Sequence, residues 1–296
     1  MTAGTTEDLW HKVRTALERN GDRFAELVVS APDAQVMVTG DWSVADTAAH
    51  VAGIAAYYPS LLRPGDVPTP FPDLADRMRS VDVDRVAELN HHLMREITER
   101  DPRVLAERLR RHVGEILRMS EDLDPDRTVT WLGSSRVTVA GLLAHLVNEL
   151  MIHGWDIARA VGAPWPMSPG DAGLFLDLFV TGLLRNGFGS LLDTGEPPDP
   201  RRVAVEFRSP HTRPVTLVLR DGKVTVEEPG ARADVRLRFD PVTLNLMLFG
   251  RVSQVRAALT GKVVVTGRRP WLLSAFLRKV RLPSNSYPAP AVAGEP

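Results

Sequence analysis

The chain has 296 residues, more than one simple core holds, so two domains of ordinary size are expected. Its 36 lysines and arginines nearly cancel 37 aspartates and glutamates, which disfavours a nucleic-acid or acidic-membrane partner. It contains no cysteine; disulfides, thiolate metal sites and a cysteine nucleophile are excluded, and any thiol chemistry must use a thiol from outside.

The first residues carry acidic side chains and no unbroken apolar run, and no later segment reaches the roughly 18–20 apolar residues of a membrane span. A soluble cytoplasmic protein with no membrane partner is expected. From Glu7 to about Val29, apolar residues recur at helical spacing (Leu9, Val13, Leu17, Phe24, Leu27). A second helix opens at Ser43, with Asp46 three residues on as an acidic capping box, and is expected to run to about Tyr58 before Pro59. His50 then lies in mid-helix. The stretch from Arg63 to Pro72 holds four prolines and a glycine and reads as an irregular connection that could border a site.

Val83 to Leu123 reads as one long helix, with an interruption conceivable at Asp101-Pro102. The next helix starts near Thr138 and runs to about Val161, where Gly162 and Pro164 stop it, and a further one spans Asp171 to Asn186. Together these predict a helical bundle, whose facing helices can point polar groups into a shared interior. Gly195-Glu-Pro-Pro-Asp-Pro marks the expected boundary, placing domains at 1–194 and 200–282 with a loose tail at 283–296. Beyond it, Val203–Phe207, Val215–Leu219, Lys223–Glu227 and Val235–Phe239 alternate as strands do, with Asp221-Gly222 as a hairpin turn. Helices at Pro241–Phe249, Val252–Leu259 and Pro270–Val280 and a strand at Val263–Thr266 make this half α+β.

His145, Glu149 and His153 are spaced four apart, each about 40° from the last on one helix face. Neighbouring members can converge on one ion, but three in line span about 12 Å, too far for a single metal to take all of them. A Glu and a His at this spacing can equally form a solvated pair or a buried hydrogen bond. The helix is apolar nearly all round (Leu142, Leu146, Leu150, Ile152), so its polar stripe needs buried partners, and a dication is one. His50 sits on an equally apolar helix, where a lone histidine is commonly just hydrogen-bonded.

The run Asp41-Trp-Ser-Val-Ala-Asp-Thr-Ala-Ala-His50-Val-Ala-Gly is similar to the first metal-ligand helix of the mycothiol-dependent maleylpyruvate isomerase family, a branch of the helical DinB-like superfamily. Glu149-Leu-Met-Ile-His153-Gly-Trp-Asp-Ile-Ala-Arg-Ala resembles the second. The resemblance covers roughly residues 5–190. It implies a DinB-like four-helix bundle with a divalent metal, usually taken as zinc, on His50, Glu149 and His153, and leaves His145 to orient a ligand or form the pocket wall. The segments around Ala233–Arg251 and Ala257–Gly267 resemble the smaller α+β domain of sterol carrier proteins. Such a domain has an apolar cavity in its lipid-carrying relatives; here it can equally be a docking and lid domain.

Two histidines and a glutamate leave at least one metal position open, as catalytic sites do. The resemblance implies a mycothiol-using transferase or isomerase in which a metal-bound thiolate attacks a small electrophilic substrate. A metal-dependent hydrolase and a non-enzymatic small-molecule or lipid carrier are the alternatives. Arg251, Arg268 and Arg269 are candidates for clamping a substrate carboxylate at the domain interface. No Gly-rich phosphate loop or serine nucleophile elbow is present, so nucleotide hydrolysis and serine esterase chemistry are not expected.

Overall fold

The computed structural model describes residues 6–193, 200–230 and 232–282. The linker expected at 195–200 falls largely outside the described residues, and so does the tail expected at 283–296. Among the described residues no helix is long and apolar enough to cross a membrane.

Four helices, α1 (Thr6–Ser30), α2 (Val44–Leu62), α5 (Pro102–Met119) and α6 (Val139–Val161), pack on one another as a bundle. Its interior is a continuous apolar cluster that includes Leu17, Phe24, Val51, Tyr58, Leu109 and Leu146. Burial of this cluster, rather than helix propensity, is what holds the four helices in place. The predicted capping box forms: Ser43 Oγ accepts from Asp46 N at 3.1 Å, and Asp46 Oδ2 accepts from Ser43 N at 3.0 Å. The expected stop before Pro59 does not occur. α2 continues one turn to Leu62, which is fully buried, so packing on both sides of Pro59 outweighs the one backbone bond that proline cannot donate.

The long helix expected over Val83–Leu123 is interrupted near Asp101-Pro102, the place considered for a break, and forms α4 (Val86–Glu96) and α5. Asp101 caps α5 by accepting from Arg103 N and Val104 N, with Pro102 in the first helical turn. A residue preceding proline is driven to extended backbone, so Asp-Pro starts a helix here. A short α3 (Ala75–Ser80) and a hairpin of β1 (Thr128–Thr130) and β2 (Arg136–Thr138) were not predicted; elements this short show no periodicity. The hairpin turns at Gly133 (φ 63°), where a Cβ would lie 2.6 Å from the Val81 carbonyl. α6 is capped by Thr138 and ends at left-handed Gly162 (φ 71°). α7 (Pro169–Leu174), a π-helical stretch Phe175–Val180 and α8 (Thr181–Asn186) follow one another without a break and cover the Asp171–Asn186 helix.

The C-terminal half is a five-stranded sheet in the order β5-β4-β3-β6-β7, from β3 (Val203–Arg208), β4 (Val215–Arg220), β5 (Lys223–Glu227), β6 (Val235–Phe239) and β7 (Val263–Gly267). β3 and β6 are parallel and all other pairs antiparallel. Asp221 (φ 50°) and Gly222 (φ 71°) make the expected tight turn between β4 and β5. Helices α9 (Pro241–Leu248), α10 (Gln254–Leu259) and α11 (Leu272–Lys279) complete it. Leu176, Leu184 and Leu192 from the helical half join Val205, Leu217, Leu237 and Phe276 in one cluster, so the two halves share apolar core. A polar tie adds to it: the Asp177 carboxylate accepts from the Arg213 backbone N–H at 3.0 and 3.2 Å. Burial pushes the Asp177 carboxyl up to about 7 despite that hydrogen bond.

Candidate metal centre

α2 and α6 bring His50, Glu149 and His153 together although the first two are about 100 residues apart in the chain. One ligand atom from each lies within 4.8 Å of the other two. Glu149 Oε2 sits between the histidines, 3.7 Å from His50 Nε2 and 3.3 Å from His153 Nε2. The imidazoles meet edge to face at 5.2 Å, and Trp42 packs against both, 4.6 Å from His50 and 6.0 Å from His153. Both histidines are buried.

His145 is one turn earlier on α6, on the other oxygen: its Nε2 is 3.5 Å from Glu149 Oε1. Its Nδ1 is 2.6 Å from the Tyr58 hydroxyl. Burial holds Tyr58 well above the usual phenol range, so the hydroxyl keeps its proton. His145 thus lies beside the carboxylate, and with Trp131 and Phe179 at 4.9 and 4.8 Å it also forms wall.

Burial alone would raise the Glu149 carboxyl. The His153 and His50 imidazoles at 3.3 and 3.7 Å, with His145 close by, hold it well below the usual range instead. Burial lowers His50 and His145. At His153 burial is overcome by Asp156 and Glu149, which raise the imidazole to about 9. Two carboxylates thus demand a positive charge at His153, and a proton or a dication supplies it. The donor set, two imidazole nitrogens and one carboxylate oxygen, suits a zinc-like ion with room for a further ligand.

Sequence reasoning missed Asp156. Its Oδ2 is 3.4 Å from His153 Nδ1, long for a hydrogen bond but within ion-pair reach. Asp156 is in turn gripped by Arg251, through Nε at 3.1 Å and Nη2 at 2.6 Å, while Arg251 Nη1 donates to the Phe249 carbonyl at 2.6 Å. A carboxylate on the far nitrogen of a ligating histidine fixes the ring's tautomer and orientation. The signal was present in His153-Gly-Trp-Asp156, one helical turn on. Of the three candidate arginines, Arg251 reaches the site, occupied with Asp156. Arg268 and Arg269 lie exposed just beyond β7, away from the cavity, with Arg269 3.7 Å from Asp234.

Above the ligands opens a cavity of about 140 Å³, walled largely by apolar side chains such as Met78, Leu89, Phe175, Phe179 and Phe249. Phe71 from the proline-rich connection also lines it. Its size suits a small substrate, below the ~300–1,000 Å³ of pockets that enclose drug-sized ligands.

Residues 13–158 match the family model of the mycothiol maleylpyruvate isomerase N-terminal domain, and residues 199–269 that of the SCP-2 sterol transfer family. Among solved structures, a histidine-to-alanine mutant of the mycothiol-dependent maleylpyruvate isomerase is similar with a TM-score of 0.50 at 13% identity, covering 90% of this chain and 96% of that one. Another structure of the mycothiol-dependent maleylpyruvate isomerase gives 0.48 at 14% identity with the same coverage. At 13% identity the likeness to the first is one of fold. No curated protein sequence matches.

Proposed function

We propose that this chain, whose helical half belongs to the mycothiol maleylpyruvate isomerase N-terminal family and whose sheet half belongs to the SCP-2 family, is a metal-dependent transferase or isomerase that uses mycothiol on a small electrophile. The observation that carries the reading is the convergence of His50, Glu149 and His153 at the base of a largely apolar cavity. A divalent ion there would supply Lewis acidity, lowering the pKa of a bound thiol into the physiological range.

The remaining work falls to the protein's own groups. Glu149 contributes the one negative charge among the three ligands, and His145 lies against its second oxygen. Asp156, itself fixed by Arg251, holds the His153 ring in one orientation. Aromatic walls from Trp131, Phe175, Phe179 and Phe249 exclude water, which strengthens every charge interaction inside. With no cysteine in the chain, the sulfur comes from the low-molecular-weight thiol.

The test is elemental analysis of the full-length protein together with thiol transfer onto a panel of electrophiles, with mycothiol and without. One divalent ion per chain and strict thiol dependence are expected. Turnover that ignores the thiol would favour metal-dependent hydrolysis, and an apolar ligand co-purifying without any metal would favour a carrier.

A further inference from the structure

Asn148 immediately precedes Glu149 on α6, is only 2% exposed and lines the same cavity. A buried primary amide has to place an acceptor and two donors. Its Oδ1 accepts a 3.0 Å hydrogen bond from Nδ2 of Asn245, a buried residue on α9 of the sheet half. The same Asn245 Nδ2 donates to the Ala172 carbonyl at 3.1 Å. A carbonyl only accepts, so that contact identifies the nitrogen end of Asn245. The Asn148 atom facing it must then be oxygen. Nδ2 of Asn148 is the end turned away, buried and without a hydrogen-bond partner among the described residues.

A donor held this way, at the edge of a cavity and beside a proposed metal ligand, is satisfied when a ligand brings an acceptor. The amide is neutral, and the two arginines that line the cavity are already paired, Arg251 with Asp156 and Arg281 with Asp84. Neither arginine is thus spare to meet a ligand beside the amide, and an uncharged carbonyl oxygen needs only a neutral donor and tolerates the aromatic walls. We propose that Asn148 is a substrate-positioning residue whose Nδ2 donates to the carbonyl oxygen of an uncharged, carbonyl-bearing electrophile, with Asn245 setting the orientation of the amide. This rests on the reading above in taking this cavity as the place where the electrophile sits.

The experiment compares binding of cyclohexenone and of cyclohexene, which lacks the carbonyl, to the full-length protein as purified and without added thiol. The ratio of the two dissociation constants is expected to move about five- to tenfold against the ketone in Asn148→Leu. In the wild type, cyclohexenone but not cyclohexene should shift the Asn148 side-chain amide resonances. Asn148→Asp keeps the size and the acceptor for Asn245 but loses the donor, and serves the same comparison should Asn148→Leu not fold. An unchanged ratio, or no binding of cyclohexenone by the wild type, overturns the proposal. Metal content and thiol dependence are read without either probe. Their failure beside an intact ketone preference would remove the functional reading and leave this one standing.

Discussion

The helical and sheet halves both reach the cavity, but with groups of different kinds. The bundle supplies the atoms that could hold an ion: His50 from α2, Glu149 and His153 from α6. The sheet half supplies groups that hold other groups still, Arg251 on Asp156 and Asn245 on Asn148. The difference teaches that a second domain can shape a site without touching the ion, by fixing the ring and amide orientations on which affinity and selectivity depend.

The largest test removes a bundle contribution. His50→Ala and His153→Ala are each expected to lower metal affinity more than about 100-fold, because two remaining ligands chelate poorly. Elemental analysis after dialysis reads it, and full occupancy in both variants would break the assignment. The sheet half is tested next. Arg251→Ala leaves every ligand in place but frees Asp156, so a loss of about 10–100-fold is expected, the range for residues that orient a ligand. An affinity equal to wild type would reduce Arg251 to an ordinary interdomain ion pair.

Gly154 sharpens the comparison from within α6. A Cβ there would lie 2.2–2.8 Å from the Trp165 ring, whose Nε1 donates to the Met151 carbonyl. Gly154→Ala should therefore cost about 1–3 kcal/mol in denaturant unfolding, although alanine is the better helix former. Stabilisation instead would mean that the ring is free to move.

The last test concerns the seam between the halves. The Asp177 carboxyl stands at about 7 in the folded chain, against about 4 when unfolded. The folded chain thus binds the extra proton between those values. This contribution to stability is fully present below about pH 4 and is lost as pH rises through about 7. Asp177→Asn keeps an acceptor for the Arg213 N–H and cannot ionise. Its melting temperature should fall less than that of wild type between pH 5 and 8, and parallel curves would show that Asp177 stays hydrated.

The legibility of the chain follows how local each determinant is. α1, α6 and the strands β3 to β6 announce themselves through periodicity, and Ser43, Asp46, Asp221 and Gly222 act within a few residues of where they stand. His145, Glu149 and His153 are likewise visible as one helical stripe. Their meeting with His50 is a tertiary event that spacing alone leaves open, and only a resemblance suggested it in advance. Pro59 misled because its cost is local while the burial of Leu62 that outweighs it is not. The choice of Arg251 over Arg268 and Arg269 was equally hidden, since it depends on where the turn after α9 lands against α6.

The π-helical stretch Phe175–Val180 has one further consequence. Such a stretch holds more residues per turn than its α-helical flanks, as if one residue had been added to a regular helix without breaking it. Phe175 and Phe179 stack from it at 5.2 Å against the cavity, while Leu184 beyond it packs into the sheet core. Removing one residue here would let the helix close into regular α form while residues downstream keep nearly the same facing, because the wider turn has absorbed the extra residue. In evolutionary terms, a single insertion or deletion can then reshape the cavity wall while Leu184 keeps its seat in the sheet core, a route that point substitution along α6 does not offer.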